Sequence, residues 1–181
     1  MPRSLKMYQA DAFTDRLFGG NPAAVLILDT WLPEGVMQAI ANENNLAETA
    51  FARRAGDGWH LRWFTPKTEV DFCGHATLAT AHVLAAHYGV EGDIDFETRV
   101  GKIRVSRASG GYVLDIPCFN PQPLAELPAC IAPLFDKPDG NLFFRNFENI
   151  FVELADEESV KAFVPDLARI EKLGPVGLVI T

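Results

Sequence analysis

The chain is short of the features that mark several protein classes. It holds only three cysteines, Cys73, Cys118 and Cys130, an odd number with no C-x-x-C pair. Neither a disulfide framework nor a zinc site is supported by that spacing. Positive charge is also scarce: 16 Lys and Arg stand against 24 Asp and Glu, a net charge of −8. Nucleic acid and anionic membrane surfaces are therefore disfavoured as main partners. No apolar run approaches the roughly 20 residues of a membrane span. The longest, Ala76 to Ala86, is broken by Thr77, Thr80 and His82. Residues 1–11 carry no apolar signal-peptide core. A reduced, cytoplasmic setting is the simplest expectation. Gly19-Gly20-Asn21 is not a phosphate loop, because neither G-x-x-x-x-G-K-[ST] nor G-x-G-x-x-G follows a strand there.

What the chain does have is enough material for a core. Of its 181 residues, 48% are hydrophobic and 22% charged, close to globular averages. Strands are expected at Lys6 to Phe13 and at the apolar stretch Ala23 to Leu28. Pro33 and Glu34 open a helix that runs to about Asn44, with Val36, Met37, Ile40 and Ala41 as its apolar face. Thr49 to Arg53 and Trp59 to Phe64 pair across the turn Ala55-Gly56-Asp57-Gly58. Strands at Asp95 to Thr98, Gly101 to Arg107 and Tyr112 to Ile116 follow, the last two joined at Ser109-Gly110-Gly111. The helix between these groups, Gly74 to His87, is apolar around its whole circumference and so is expected to be enclosed. The implied class is α+β, a curved sheet wrapped about a central helix. Four prolines between 117 and 128 mark a boundary. The expected division is an N-terminal domain 1–117, a linker 118–128 and a partial second domain 129–181, with a strand at Asn149 to Leu154, a helix at Glu157 to Phe163 and a strand at Val176 to Ile180.

Chemistry concentrates at Asp71-Phe72-Cys73-Gly74-His75-Ala76-Thr77, where a strand turns directly into the enclosed helix. The first-turn N–H groups of such a helix have no partner within it, and they lie at the positive end of its dipole. A carboxylate is their natural ligand. His75 can hold that anion or shuttle a proton, or it can simply pack at the helix start. Cys73 is either a thiol activated by the helix end or a small apolar filler. Asp71 either caps the turn or orients a partner. Glu48 lies among Leu46, Ala47, Ala50 and Phe51. Apolar neighbours strip water from a carboxylate, as a general acid/base requires, although a strand-edge ion pair fits the pattern better when it is taken alone. His82, inside the helix, is expected to be a satisfied core histidine. Arg62 and Lys67 are either local cations for the anion or outward-facing strand residues.

Five segments then fall in order: Asp11-Ala12-Phe13-Thr14, Gly20-Asn21-Pro22-Ala23-Ala24-Val25, Glu48-Thr49-Ala50-Phe51, Arg62-Trp63-Phe64-Thr65-Pro66, and Glu69 to Ala79 with its Cys73-Gly74-His75-Ala76-Thr77 core. The series resembles the phenazine-biosynthesis PhzF-like proteins. The resemblance implies a diaminopimelate-epimerase-like fold of two similar domains. It also implies an isomerase that uses no metal or organic cofactor and acts on a small carboxylate-bearing substrate. Glu48 takes the place of the general acid/base, and His75, with the Gly74 and Ala76 backbone, that of the substrate-binding turn. Cys73 and Asp71 stand as accessory candidates. In related racemases a cysteine at this point is one of two catalytic thiols, so a two-cysteine racemase is the alternative, and a non-catalytic binding protein a third reading. Residues 129–181 lack the second Gly-rich turn of the family. A C-terminally truncated member is therefore expected, with exposed apolar surface that favours a homodimer.

Overall fold

The computed structural model describes residues 4–116, 120–135 and 142–181. Cys118 lies outside these. The chain divides into two compact units at Ile116/Pro117.

In the first unit, β1 (Met7–Ala12) and β2 (Asn21–Leu28) pair antiparallel. Gly20 is obligatory between them: a Cβ there would collide with the Ala12 carbonyl oxygen. The helix α1 (Glu34–Asn44) carries the chain over to β3 (Glu48–Ala55), which lies parallel to β2. A parallel neighbour cannot be reached by a hairpin, so a crossover is required. β4 (Gly58–Phe64) returns antiparallel along β3, and the two-residue β5 (Glu69–Val70) pairs with the far end of β4. The second crossover is α2 (Gly74–His87), leading to β6 (Ile94–Thr98) beside β4. β7 (Gly101–Ala108) and β8 (Gly111–Asp115) complete the order β1-β2-β3-β4-β6-β7-β8. Because α2 touches both β1 and β8, the two ends of that order, the sheet must curl around it.

Strand alternation sorts the side chains onto two faces. Ala23, Val25, Ala50, Ala52, Leu61 and Trp63 meet Ala76, Ala79, Val83 and Leu84 of α2 inside the curl. The intervening Leu26, Leu28, Phe51 and Phe64 face outward, where Met37 and Ala41 of α1 cover them. Alanines on both α2 and the strands beneath it allow the helix to lie close to the sheet. The buried hydroxyls of Thr77 and Thr80 donate to the carbonyls of Cys73 (2.6 Å) and Ala76 (2.7 Å), so neither is left unpaired.

Two expectations need correction. His82 is exposed, not a core residue; it meets the Tyr112 ring edge-on, with 6.0 Å between centroids, at the edge of the helix contact. Val36 is likewise exposed, because the α1 stripe that reaches the sheet centres on Met37 and Ala41.

The second unit contains β9 (Gln122–Pro123), β10 (Leu142–Arg145), β11 (Asn149–Glu153), α3 (Glu157–Ala162), α4 (Leu167–Ile170) and β12 (Gly177–Ile180). The strands form a sheet in the order β12-β11-β10-β9, with β11 and β12 parallel. Its core is small: Ile131, Phe135, Ile150 and Val152 are buried, ringed by partly buried neighbours. Both short helices are capped by aspartates, Asp156 accepting from the Ser159 N–H at 2.8 Å and Asp166 from the Arg169 N–H at 3.1 Å. Among the described residues, no helix is long and apolar enough to cross a membrane.

Candidate active site

Glu48 reaches its position through the end of α1. Asn45 closes that helix in the left-handed region, at φ 52°, and turns the chain into β3 within three residues. Asn44 holds the turn by donating to the Thr49 hydroxyl at 3.2 Å. Glu48 thus opens a buried strand flanked on both sides by other strands, with its carboxylate beside the start of α2. No side-chain oxygen caps α2, whose N-cap is Cys73 in extended conformation. Gly74, His75 and Ala76 therefore occupy a first turn without a conventional cap.

His75 Nε2 lies 3.3 Å from Glu48 Oε2, with the two side chains 10% and 19% exposed. The contact is close but not aligned as a hydrogen bond, and Nε2 is a buried atom with no hydrogen-bond partner. On the other side of the ring, His75 Nδ1 lies 3.4 Å from Cys73 Sγ. Burial pushes the Cys73 thiol up to about 12. The negative charge of Glu48 adds to that rise, and the N–H groups of Ala76 and His75 oppose it. A thiol so protected is a neutral hydrogen-bonding group at physiological pH, not a nucleophile.

Glu48, Cys73 and His75 also offer one ligand atom each within 4.8 Å of one another. Their closest approaches, however, run to different ring nitrogens, whereas a single ion needs its donors turned toward one point. The arrangement suits a hydrogen-bonded chain better than a metal shell.

The remaining sequence candidates lie apart from this trio. Asp71 is exposed and faces Arg99, with Oδ1 3.5 Å from Nη1. Arg62 binds Glu69 through two contacts of 2.6 Å and Glu34 through one of 2.8 Å. Arg99 adds a third cationic contact to Glu69, at 2.5 Å. Arg62 is therefore already neutralised, and Lys67 is exposed. The Cys73–His75 pairing was not foreseen, although residues i and i+2 across a strand-to-helix turn can meet where the backbone changes direction. The facing of Arg62 and Glu69 was also missed; it follows from the antiparallel pairing of β4 with β5, which the two-residue length of β5 hides.

Comparison with known proteins places the family and the fold. Residues 10–181 match the PhzC-PhzF family model, described as phenazine biosynthesis-like protein. An uncharacterized isomerase of Pseudomonas aeruginosa is 43% identical over 178 residues, covering 98% of this chain and 67% of its own. The crystal structure of a PhzF-family protein from Enterococcus faecalis superposes with a TM-score of 0.84 at 41% identity, over 98% of this chain and 68% of that one. A probable proline racemase from Agrobacterium radiobacter shares the fold alone, with a TM-score of 0.53 at 12% identity, over 94% of this chain and 56% of that one. The curled sheet around α2 is thus the diaminopimelate-epimerase-like architecture. The chain spans about two thirds of the length of the first two of these proteins. On the family match and the 43% identity together, this chain belongs to the PhzC-PhzF, phenazine biosynthesis-like family.

Proposed function

We propose that this chain carries the proton-transfer side of an isomerase acting on a small substrate that bears a carboxylate. Glu48 removes a proton from a carbon near that carboxylate and returns it elsewhere on the same skeleton. Negative charge developing on the carboxylate oxygens is met by the N–H groups at Gly74, His75 and Ala76 and by the positive end of α2. His75 holds and orients the substrate. The observation that carries this reading is the 3.3 Å approach of Glu48 to His75 at the uncapped start of α2. That approach brings a proton acceptor and an anion site within one small substrate's reach. The family match and the relative's name of isomerase support the reaction class. A two-thiol racemase is the weaker reading, because the raised Cys73 thiol is a poor base near neutrality. A homodimer remains part of the proposal, supported by the exposure of Phe13, Leu17 and Phe18 on one loop.

The test is deuterium incorporation from D2O into a panel of small carboxylic acids with an acidic C–H, a dihydro-hydroxyanthranilate among them. The 181-residue chain is expected to label at least one, and Glu48→Gln to slow labelling by about 10²- to 10⁴-fold. Undiminished labelling by Glu48→Gln would remove Glu48 from the mechanism. Binding without any exchange would favour a non-catalytic binding protein.

A further inference from the structure

We propose that Cys73 is a positioning residue whose thiol donates to His75 Nδ1, fixing the imidazole as the tautomer that carries its proton on Nε2 and turns that N–H toward Glu48. The distances demand a consistent set of protons. His75 Nδ1 is 3.4 Å from the sulfur and Nε2 is 3.3 Å from the carboxylate. A neutral imidazole has one N–H and one bare nitrogen. If the bare nitrogen were Nε2, its lone pair would face a carboxylate oxygen in a nearly dry site, an arrangement that repels. With the proton on Nε2, a donor faces the carboxylate, and Nδ1 needs a donor of its own. Within the contacts described, the only one beside it is the Cys73 S–H.

The surroundings of the sulfur support the same direction. The Ala76 and His75 N–H groups act on the sulfur from the helix start. The Glu48 carboxylate also lies near the sulfur, and the ring nitrogen at 3.4 Å is the partner the geometry pairs with the thiol. Burial of the side chain keeps that proton in place. Cys73 therefore stands at the N-cap position without capping the helix, and its thiol is paired with the histidine instead.

One functional consequence rests on Glu48 being the acid/base, as proposed above; the tautomer itself does not. When Glu48 has taken up a substrate proton, His75 Nε2 already carries its own and has no lone pair to accept another; the ring's basic nitrogen, Nδ1, faces Cys73 instead. The proton stays on Glu48, available for return to the substrate. Cys73 thus insulates Glu48 from a neighbouring base that would otherwise compete for its cargo.

The experiment reads the tautomer directly, without substrate. The 181-residue protein is labelled with 15N-histidine, and two-bond proton–nitrogen correlations are recorded at neutral pH, with His75 assigned by its loss in His75→Gln. Wild type is expected to show a pyrrole-type Nε2 and a pyridine-type Nδ1. Cys73→Ala should lower the ratio of Nε2–H to Nδ1–H forms by roughly 3- to 10-fold, the range set by losing one modest hydrogen bond. Cys73→Ser, which keeps a donor at the same position, should restore most of it. Backbone amide spectra of both variants report whether the fold is kept. An Nδ1–H tautomer in wild type would overturn the proposal, as would an unchanged ratio in a folded Cys73→Ala. A Glu48→Gln chain with no exchange activity but an intact Nε2–H signal would leave this inference standing; an active one would sink the catalytic assignment alone.

Discussion

The two compact units cover their sheets by unequal means. In residues 4–116, one sheet is packed on both faces, α2 filling the curl and α1 covering the outer side of β2, β3 and β4. In the second unit, a four-stranded sheet is sealed by four buried side chains and two helices of six and four residues, each held by an aspartate cap. The first unit can hold two side chains at a fixed separation because both spring from elements whose packed faces are fully buried. The second depends far more on local hydrogen bonds, which are worth little individually. Precision at a site therefore follows from the packing beneath it, and Glu48 and His75 stand on the better-packed unit.

The comparison can be broken most easily in the cores. Leu84→Ala, on the buried face of α2, should lower stability by about 3 kcal/mol, within the usual range for a buried leucine. Ile150→Ala in the second unit should cost nearer about 2 kcal/mol, since fewer neighbours surround the cavity and the site can collapse around it. Urea unfolding measures both; equal losses would mean that the smaller core is packed as tightly as the larger. A smaller effect belongs to Cys73. Its folded thiol ionises at about 12 against an ordinary 9.0, so between those values the unfolded chain has lost a proton that the folded chain keeps. Stability must then fall as pH rises through that window, by about 1 kcal/mol between pH 9 and 10. Cys73→Ser, which does not ionise there, should show a shallower decline in the same unfolding series. At the low end, Asp156→Ala removes the cap of α3 and should cost about 1 kcal/mol or less. Hydrogen exchange is expected to quicken at Ser159 and Val160 first; an unchanged rate there would show that the cap is not what holds α3.

Much of the first unit was legible because its signals are local and mutually consistent. The helix at Gly74–His87 has the predicted limits, since a glycine turn opens it and a fully apolar circumference continues to its end. α1 was equally plain, framed by Pro33 and by Asn45. The site was legible only in part. Alternation and turn chemistry place Glu48 at a strand entry and His75 at a helix start, but their meeting depends on β3 lying between β2 and β4 beside α2, a non-local outcome. His82 was misjudged for a related reason. Enclosure was inferred for the whole circumference, yet the curled sheet leaves one side of α2 open near Tyr112, a gap that helical periodicity alone cannot reveal. In the second unit, β10 escaped notice because its ends, Leu142 and Arg145, are exposed, its middle is only half buried, and it carries little alternation.

The alanines between α2 and the sheet have a further consequence. Ala50, Ala52, Ala76, Ala79 and Ala81 are all essentially without solvent contact and set the gauge of the gap between helix and strands. A larger side chain at any of them has nowhere to go except by lifting α2, and His75 would ride outward with it. Mutation at these positions is thus a one-way gate: glycine is tolerated at a loss of stability, while valine or leucine shifts His75 relative to Glu48. The spacing between Glu48 and His75 is guarded by methyl groups, the farthest of them on the next turns of the helix.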